Sequence, residues 1–167
     1  MNRLLIPHRI PQYEPSNNHE VLERLRRFLL AESSPSIQIQ PDYDLILPEL
    51  SCEREKLIQV VLNIARNALQ AMQEHKTKDS KLTFKTRAER QVTLVRKRYR
   101  VAIKLDIIDN GPGIPQEILE RIFYPLVSGT ASGTGLGLTL AQSFITQHHG
   151  MIECESEPGK TCFTILL

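Results

Sequence analysis

The stretch Cys52–His75, CEREKLIQVVLNIARNALQAMQEH, decides how the rest of the chain is read. At roughly 100° per residue, its apolar side chains from Leu57 to Met72 cover most of the circumference of a helix. Gln59, Asn63, Arg66, Asn67, Gln70 and Glu74 collect within a sector of roughly 100°. A helix apolar over so wide an arc belongs at the centre of a core, and Ser51 is available to cap it. Amides on its one polar stripe suit the wall of a polar pocket. The alternative is an ordinary solvated face, which more often carries Lys and Glu.

Around that helix the composition is that of one globular domain: 167 residues, 41% hydrophobic and 24% charged. A net charge of +2 with 5% aromatics lacks the basic stripe and stacking platforms of a nucleic-acid binder. No run reaches the roughly 18–20 apolar residues of a membrane span, and Pro7, Pro11 and Pro15 break the start too often for a signal peptide. Three cysteines without a C-x-x-C pair fit a reduced, cytoplasmic interior, although Cys154 and Cys162 can meet across a hairpin.

Residues 1–18 read as an extended, proline-rich linker or the remnant of a preceding dimerisation domain, and residues 19–167 as the folded domain. Val21, Leu22, Leu25, Phe28 and Leu29 predict a helix over His19–Ala31, capped by Asn17 or Asn18. Alternation predicts a strand over residues 37–41, a hairpin of Lys81–Val95 and Arg100–Asp109 with a solvated basic tip at Arg96–Arg98, and a closing hairpin of Met151–Ser156 and Thr161–Leu167. Further helices are expected over Ile114–Ile122, opened by Pro115, and over Gly135–His148. The strands mostly pair with neighbours rather than alternate with helices, so the fold class is an α/β (α+β) two-layer sandwich: a mixed sheet with helices on one face.

Three places can carry chemistry. Asp109-Asn110-Gly111-Pro112-Gly113 sets an acid at a strand end before a glycine turn, where a carboxylate can accept a hydrogen bond from an amine such as that of adenine; a plain turn is the bland alternative. Gly133-Thr134-Gly135-Leu136-Gly137-Leu138 opens a helix whose free amides can receive phosphate. It has neither the Gly-Lys-Ser/Thr of a P-loop nor the third glycine of a Rossmann turn. Asn63 and Asn67, four residues apart, aim two carboxamides one way, one of them a candidate Mg²⁺ ligand; hydrogen bonding between helices is the structural alternative.

In this order the motifs resemble the ATP-binding catalytic domain of sensor histidine kinases, in the Bergerat-fold superfamily that includes gyrase, Hsp90 and MutL. Asn63–Ala68 looks like the N box, Asp109–Gly113 the first glycine box, Phe123–Leu126 the F box, and Gly133–Gly137 the second glycine box. Tyr124–Gly129, with Arg98–Arg100 upstream, resembles the nitrogen-regulation sensor kinases of the NtrB type. The resemblance implies a nucleotide between the N-box helix and a lid over Phe123–Gly135. It makes Asn67 the Mg²⁺ ligand and Asp109 the acceptor of the adenine amine, supported by Thr161 through water. Gly111 and Gly113 would lie along the ring, and Thr134, Gly135, Leu136, Gly137 and Leu138 at the phosphates. Asn63 takes the position where ATP-hydrolysing relatives carry a glutamate, and an amide cannot activate water.

The activity implied by this resemblance is that of a protein histidine kinase module, which transfers the γ-phosphate of ATP to a histidine on a separate dimerisation domain, for relay to an NtrC-type response regulator. A Bergerat-fold ATPase, or a nucleotide-sensing module docking a PII-type signal protein, are the alternatives. Two features depart from the family. None of the five histidines lies in an H-E-x-x-N-P-L-like motif, of which His19-Glu20 matches only the start. Residues 127–135 hold no Lys or Arg for the phosphates, which leaves Arg66 or Arg121 as the substitute.

Overall fold

The computed structural model describes residues 14–16, 18–94, 96–123 and 135–167. In chain order the elements are β1 (Glu14–Ser16), α1 (Asn18–Glu32), β2 (Gln38–Asp42), β3 (Leu50–Cys52), α2 (Arg54–Glu74), β4 (Lys81–Leu94), β5 (Lys97–Asp109), α3 (Gln116–Leu119), α4 (Gly135–Gln147), β6 (Met151–Glu157) and β7 (Lys160–Leu166). Among the described residues five strands form one mixed sheet in the order β2-β4-β5-β7-β6, in which the β2–β4 pair alone is parallel. The expected two-layer α/β class is the observed one.

Strand alternation sets the layers. Leu82 and Phe84 of β4, Leu105 and Ile107 of β5, and Phe163 and Ile165 of β7 face the helices and are all buried. Against them α2 buries Leu57, Val60, Val61, Ile64, Ala65, Ala68 and Met72, as its wide apolar arc requires. Each of the Leu, Val, Ile and Met side chains contributes about 1.5–3 kcal/mol on leaving water. Among the described residues no helix is long and apolar enough to cross a membrane.

Several expectations change where tertiary pairing overrides local pattern. Residues 14–16, assigned to the linker, pair antiparallel with Leu50–Cys52 in a small ribbon. α2 begins at Arg54 with Glu53 at the cap and no side-chain cap bond, so Ser51 does not cap it. Phe28, expected to face inward, is 46% exposed and lies beneath the guanidinium of Arg66 at 5.5 Å. The basic tip is shorter than expected, since Lys97 and Arg98 pair with Leu94 and Thr93. Cys154 stands opposite Phe163 and Cys162 opposite Glu155. Adjacent positions on a strand face opposite sides, so the two thiols cannot join across the hairpin, and all three cysteines are free. Burial pushes the Cys154 thiol up to about 12.

Candidate functional site

The helix layer and the strand ends enclose a cavity of about 820 Å³. One wall is the last two turns of α2, with Asn67, Gln70 and Glu74. These are the C-terminal half of the polar stripe read from the sequence. Opposite stand Asp109 at the end of β5, the turn Pro112–Pro115 after it, and Ser156 and Thr161 from the β6–β7 hairpin. Leu138 of α4, Ile122 and Phe163 supply apolar surface.

Asp109 reaches this wall by strand alternation, with Ile107 and Leu105 below it in the core. Its neighbour Asn110 turns the other way: Oδ1 accepts the Lys81 N–H at 2.8 Å and Nδ2 donates to the Asp79 carbonyl at 2.9 Å. In this turn the acid is therefore offered to the cavity while the amide ties the loop to β4. The Gly111 N–H donates to Asp109 Oδ1 at 2.8 Å, which fixes the carboxylate and uses one of its oxygens. Asp109 is 7% exposed, and burial raises its pKa above the ordinary carboxylate value, with the Gly111 N–H opposing. A buried acid on a cavity wall, with no cation against it among the described residues, is costly unless a ligand donor meets it.

The glycines of the turn allow two close approaches. A Cβ on Gly111 would lie 2.9 Å from Asp109 Oδ1 and 3.0 Å from Met72 Cγ. Gly113, with φ +86°, lies against the backbone of Glu157, whose carbonyl oxygen would be 2.7 Å from a Cβ. The Gly159 N–H donates to the Gly111 carbonyl at 2.9 Å, and the Ile114 N–H to Ser156 Oγ at 2.8 Å. The closing hairpin thus grips the turn after Asp109 at two points.

Of the residues singled out in the sequence, Asn67, Asp109, Gly113, Leu138 and Thr161 line this one cavity, although up to 94 residues separate them along the chain. Gly111 packs behind Asp109 instead of on the wall. Asn63, one turn earlier on α2, is half-buried and does not line the cavity. Arg66 does not line the cavity, and its guanidinium makes a bidentate pair with Glu32 of α1, at 2.9 Å from Nη2. Arg121 is exposed and also does not line it. Thr134 and most of the expected lid lie outside the described residues, and Gly135, Leu136 and Gly137 open the first turn of α4. Sequence reasoning missed Ser156. It follows Ile152 and Cys154 on the inward face of β6, so alternation carried one pair further would have found it.

Residues 52–167 match the family described as histidine kinase-, DNA gyrase B-, and HSP90-like ATPase. Across its whole length the chain is 44% identical to the sensory histidine kinase/phosphatase NtrB of Vibrio alginolyticus and 42% identical to that of Salmonella typhimurium. It spans about half of those relatives, 47% of each. The fold is that of the catalytic domain of histidine kinase ThkA in a nucleotide-free form, with a TM-score of 0.73 at 21% identity over 93% of this chain and 94% of that one. ThkA in complex with the response regulator protein TrrA gives 0.72 at 20% identity over 96% of this chain and 43% of that one. With the match running from β3 to the last strand, across every wall of the cavity, the chain belongs to the histidine kinase-, DNA gyrase B- and HSP90-like ATPase family.

Proposed function

We propose that the chain is the ATP-binding catalytic domain of an NtrB-type sensor histidine kinase, which delivers the γ-phosphate of ATP to a histidine on a separate dimerisation domain for relay to a response regulator. The observation that carries this is the convergence of Asn67, Asp109, Gly113, Leu138 and Thr161 on one cavity large enough for a nucleotide. The ionised Asp109 accepts the exocyclic amine of the base, apolar Leu138, Ile122 and Phe163 pack the ring, and α4 directs its N-terminal amides at the phosphates. Among the described residues no group of three His, Cys, Asp or Glu could hold a metal ion by itself. That fits Mg²⁺ entering with the nucleotide and taking one protein oxygen, from Asn67, with phosphates and water supplying the rest. When bound, the ion neutralises phosphate charge.

Asn63 favours transfer over hydrolysis, because an amide cannot take a proton from water and the nucleophile must then come from outside, as a neutral imidazole. In-line positioning and charge neutralisation supply the catalysis. The partners are the kinase's own dimerisation domain, a response regulator of NtrC type and a PII-type signal protein. The domain is assigned residues 19–167, with β1 an extension of it, and a cytoplasmic setting.

The test is to mix the chain with γ-labelled Mg-ATP and a separately produced dimerisation domain. Acid-labile label on that domain with little free phosphate is the expected result, and steady phosphate release without label would replace the kinase reading by the ATPase one. Asn67→Ala should weaken Mg-ATP binding by about tenfold or more while leaving Tm within a few degrees, because Asn67 lines the cavity and is not part of the core. Titration calorimetry with and without Mg²⁺ checks it. An unchanged affinity would reject Asn67 as the metal ligand.

A further inference from the structure

Ser156 takes no part in the contacts assigned to ATP, yet it is the most connected hydroxyl on the cavity wall. Its Oγ accepts the Ile114 N–H at 2.8 Å and lies 2.7 Å from Thr161 Oγ1. Ser156 and Thr161 both line the cavity, Thr161 is 3% exposed, and Thr161 is the register partner of Asp109 on the neighbouring strand. Three polar groups are therefore arranged in sequence from the Ile114 amide to the edge of the base site.

In a hydrogen bond between two hydroxyls only one proton is used, and which oxygen donates it decides what the other shows a ligand. A hydroxyl that already accepts a strong bond is polarised into a better donor. The Ile114 amide does this to Ser156. Either hydroxyl of the 2.7 Å pair can donate by distance alone, and the polarisation favours Ser156 as the donor to Thr161 Oγ1, with the Thr161 proton left for the cavity. The wall then shows an acceptor, the carboxylate of Asp109, beside a donor, the hydroxyl of Thr161. Adenine presents the complement: an amine donor next to a ring-nitrogen acceptor. Hypoxanthine and guanine present the reverse, a carbonyl next to a ring N–H.

We infer that Ser156 is a positioning residue that sets the donor polarity of Thr161, so that Asp109 and Thr161 together select a 6-aminopurine over a 6-oxopurine. Ser156 acts through Thr161, directly onto the base or through one water. This rests on the adenine-nucleotide reading of the cavity and specifies which residue makes that site selective.

Dissociation constants for Mg-ATP and Mg-ITP by calorimetry test it, since inosine reverses the edge without adding bulk. The unaltered chain should prefer ATP, and Ser156→Ala should reduce the ATP-over-ITP ratio by about five- to tenfold. Ser156→Thr, which restores the hydroxyl, should return most of the ratio. Thr161→Val should lower it alike, and the double variant Ser156→Ala/Thr161→Val no further than Thr161→Val alone. Ser156→Cys keeps the volume with a weaker donor and gives an intermediate ratio, a second readout if the alanine variant folds poorly. A merely structural serine would weaken both nucleotides equally, so an unchanged ratio in variants that still bind ATP overturns the inference while leaving the ATP site standing. Multiplicative losses in the double variant would also overturn it, and failure of the unaltered chain to bind either nucleotide would remove the site reading itself.

Discussion

Asp109→Asn is expected to give a domain that binds ATP about 100-fold more weakly, a loss of about 2.7 kcal/mol, and melts at a higher temperature. Both effects come from the burial of one carboxylate on the cavity wall. The asparagine keeps an oxygen for the Gly111 N–H, which now meets Asp109 Oδ1 at 2.8 Å. Its other end is an NH₂, which faces the ligand amine donor to donor. The stability change comes from the direction of the pKa shift. Burial raises the folded-state pKa above the unfolded one, so the folded chain holds the proton more tightly. That contribution is fully present below the ordinary carboxylate pKa and is lost as pH rises through the raised folded value. At neutral pH the ligand-free protein bears the cost of a buried charge, which asparagine removes. A Tm gain of about 2–4 °C corresponds to about 1 kcal/mol in a domain of this size. The gain should shrink to nothing as the pH falls below the carboxylate range, and ATP affinity of the unaltered chain should begin to fall at a higher pH than for an ordinary aspartate. Scanning calorimetry and titration across about pH 3.5–8 check both. A lower Tm in the variant would make the carboxylate structural, and an undiminished ATP affinity would remove Asp109 from the base site.

A site residue that lowers the stability of its own fold is also one of the more legible features of the sequence. An acid that follows Ile103, Leu105 and Ile107 on the inward face of β5 breaks the pattern of that face, and such breaks mark functional or strained sites. The same reasoning works for α2, whose polar stripe is the single break in an otherwise apolar surface, and for the turn glycines. It fails for Arg66. Nothing in the spacing of Asn63–Ala68 reveals that Glu32, 34 residues earlier on another helix, will take the guanidinium. It fails for residues 14–16, whose strand exists only because Leu50–Cys52 is there to pair with it. Ser156 was hidden differently. One small polar residue between Glu155 and Glu157 reads as part of a solvated face, although the alternation of Ile152 and Cys154 with the glutamates places it inward, and the pairing with β7 brings it to Thr161. Local pattern fixes which residue types face which side; partners distant in the chain decide what each then touches.

Gly113→Ala should damage both the fold and the site, because two costs of different origin coincide there. The backbone sits at φ +86°, where an L side chain is strained by about 1–2 kcal/mol. A Cβ would also stand 2.7 Å from the Glu157 carbonyl oxygen, 2.8 Å from its carbon and 3.1 Å from Pro158 N. All three are backbone atoms of the β6–β7 hairpin, so no rotamer change relieves the contact and the turn has to part from the hairpin. Parting them strains the two bonds that hold the wall together, Gly159 N–H to the Gly111 carbonyl and Ile114 N–H to Ser156 Oγ. Gly159 separates the two costs: its φ is +92° and nothing lies within 4 Å of a Cβ there. Gly159→Ala therefore carries the backbone strain alone, and Gly113→Ala the strain together with the clash. The expected losses are about 1–2 kcal/mol for Gly159→Ala and about 3 kcal/mol for Gly113→Ala, the latter a Tm decrease of about 6–12 °C. Nucleotide affinity tells the two apart more sharply, since only Gly113→Ala moves the turn that carries Asp109. It should weaken ATP about as much as the loss of Asp109 does, while Gly159→Ala binds within about twofold of the unaltered chain. Equal Tm losses with ATP binding intact in both would mean that the turn after Asp109 tolerates displacement from the hairpin, and that the base site does not depend on their contact.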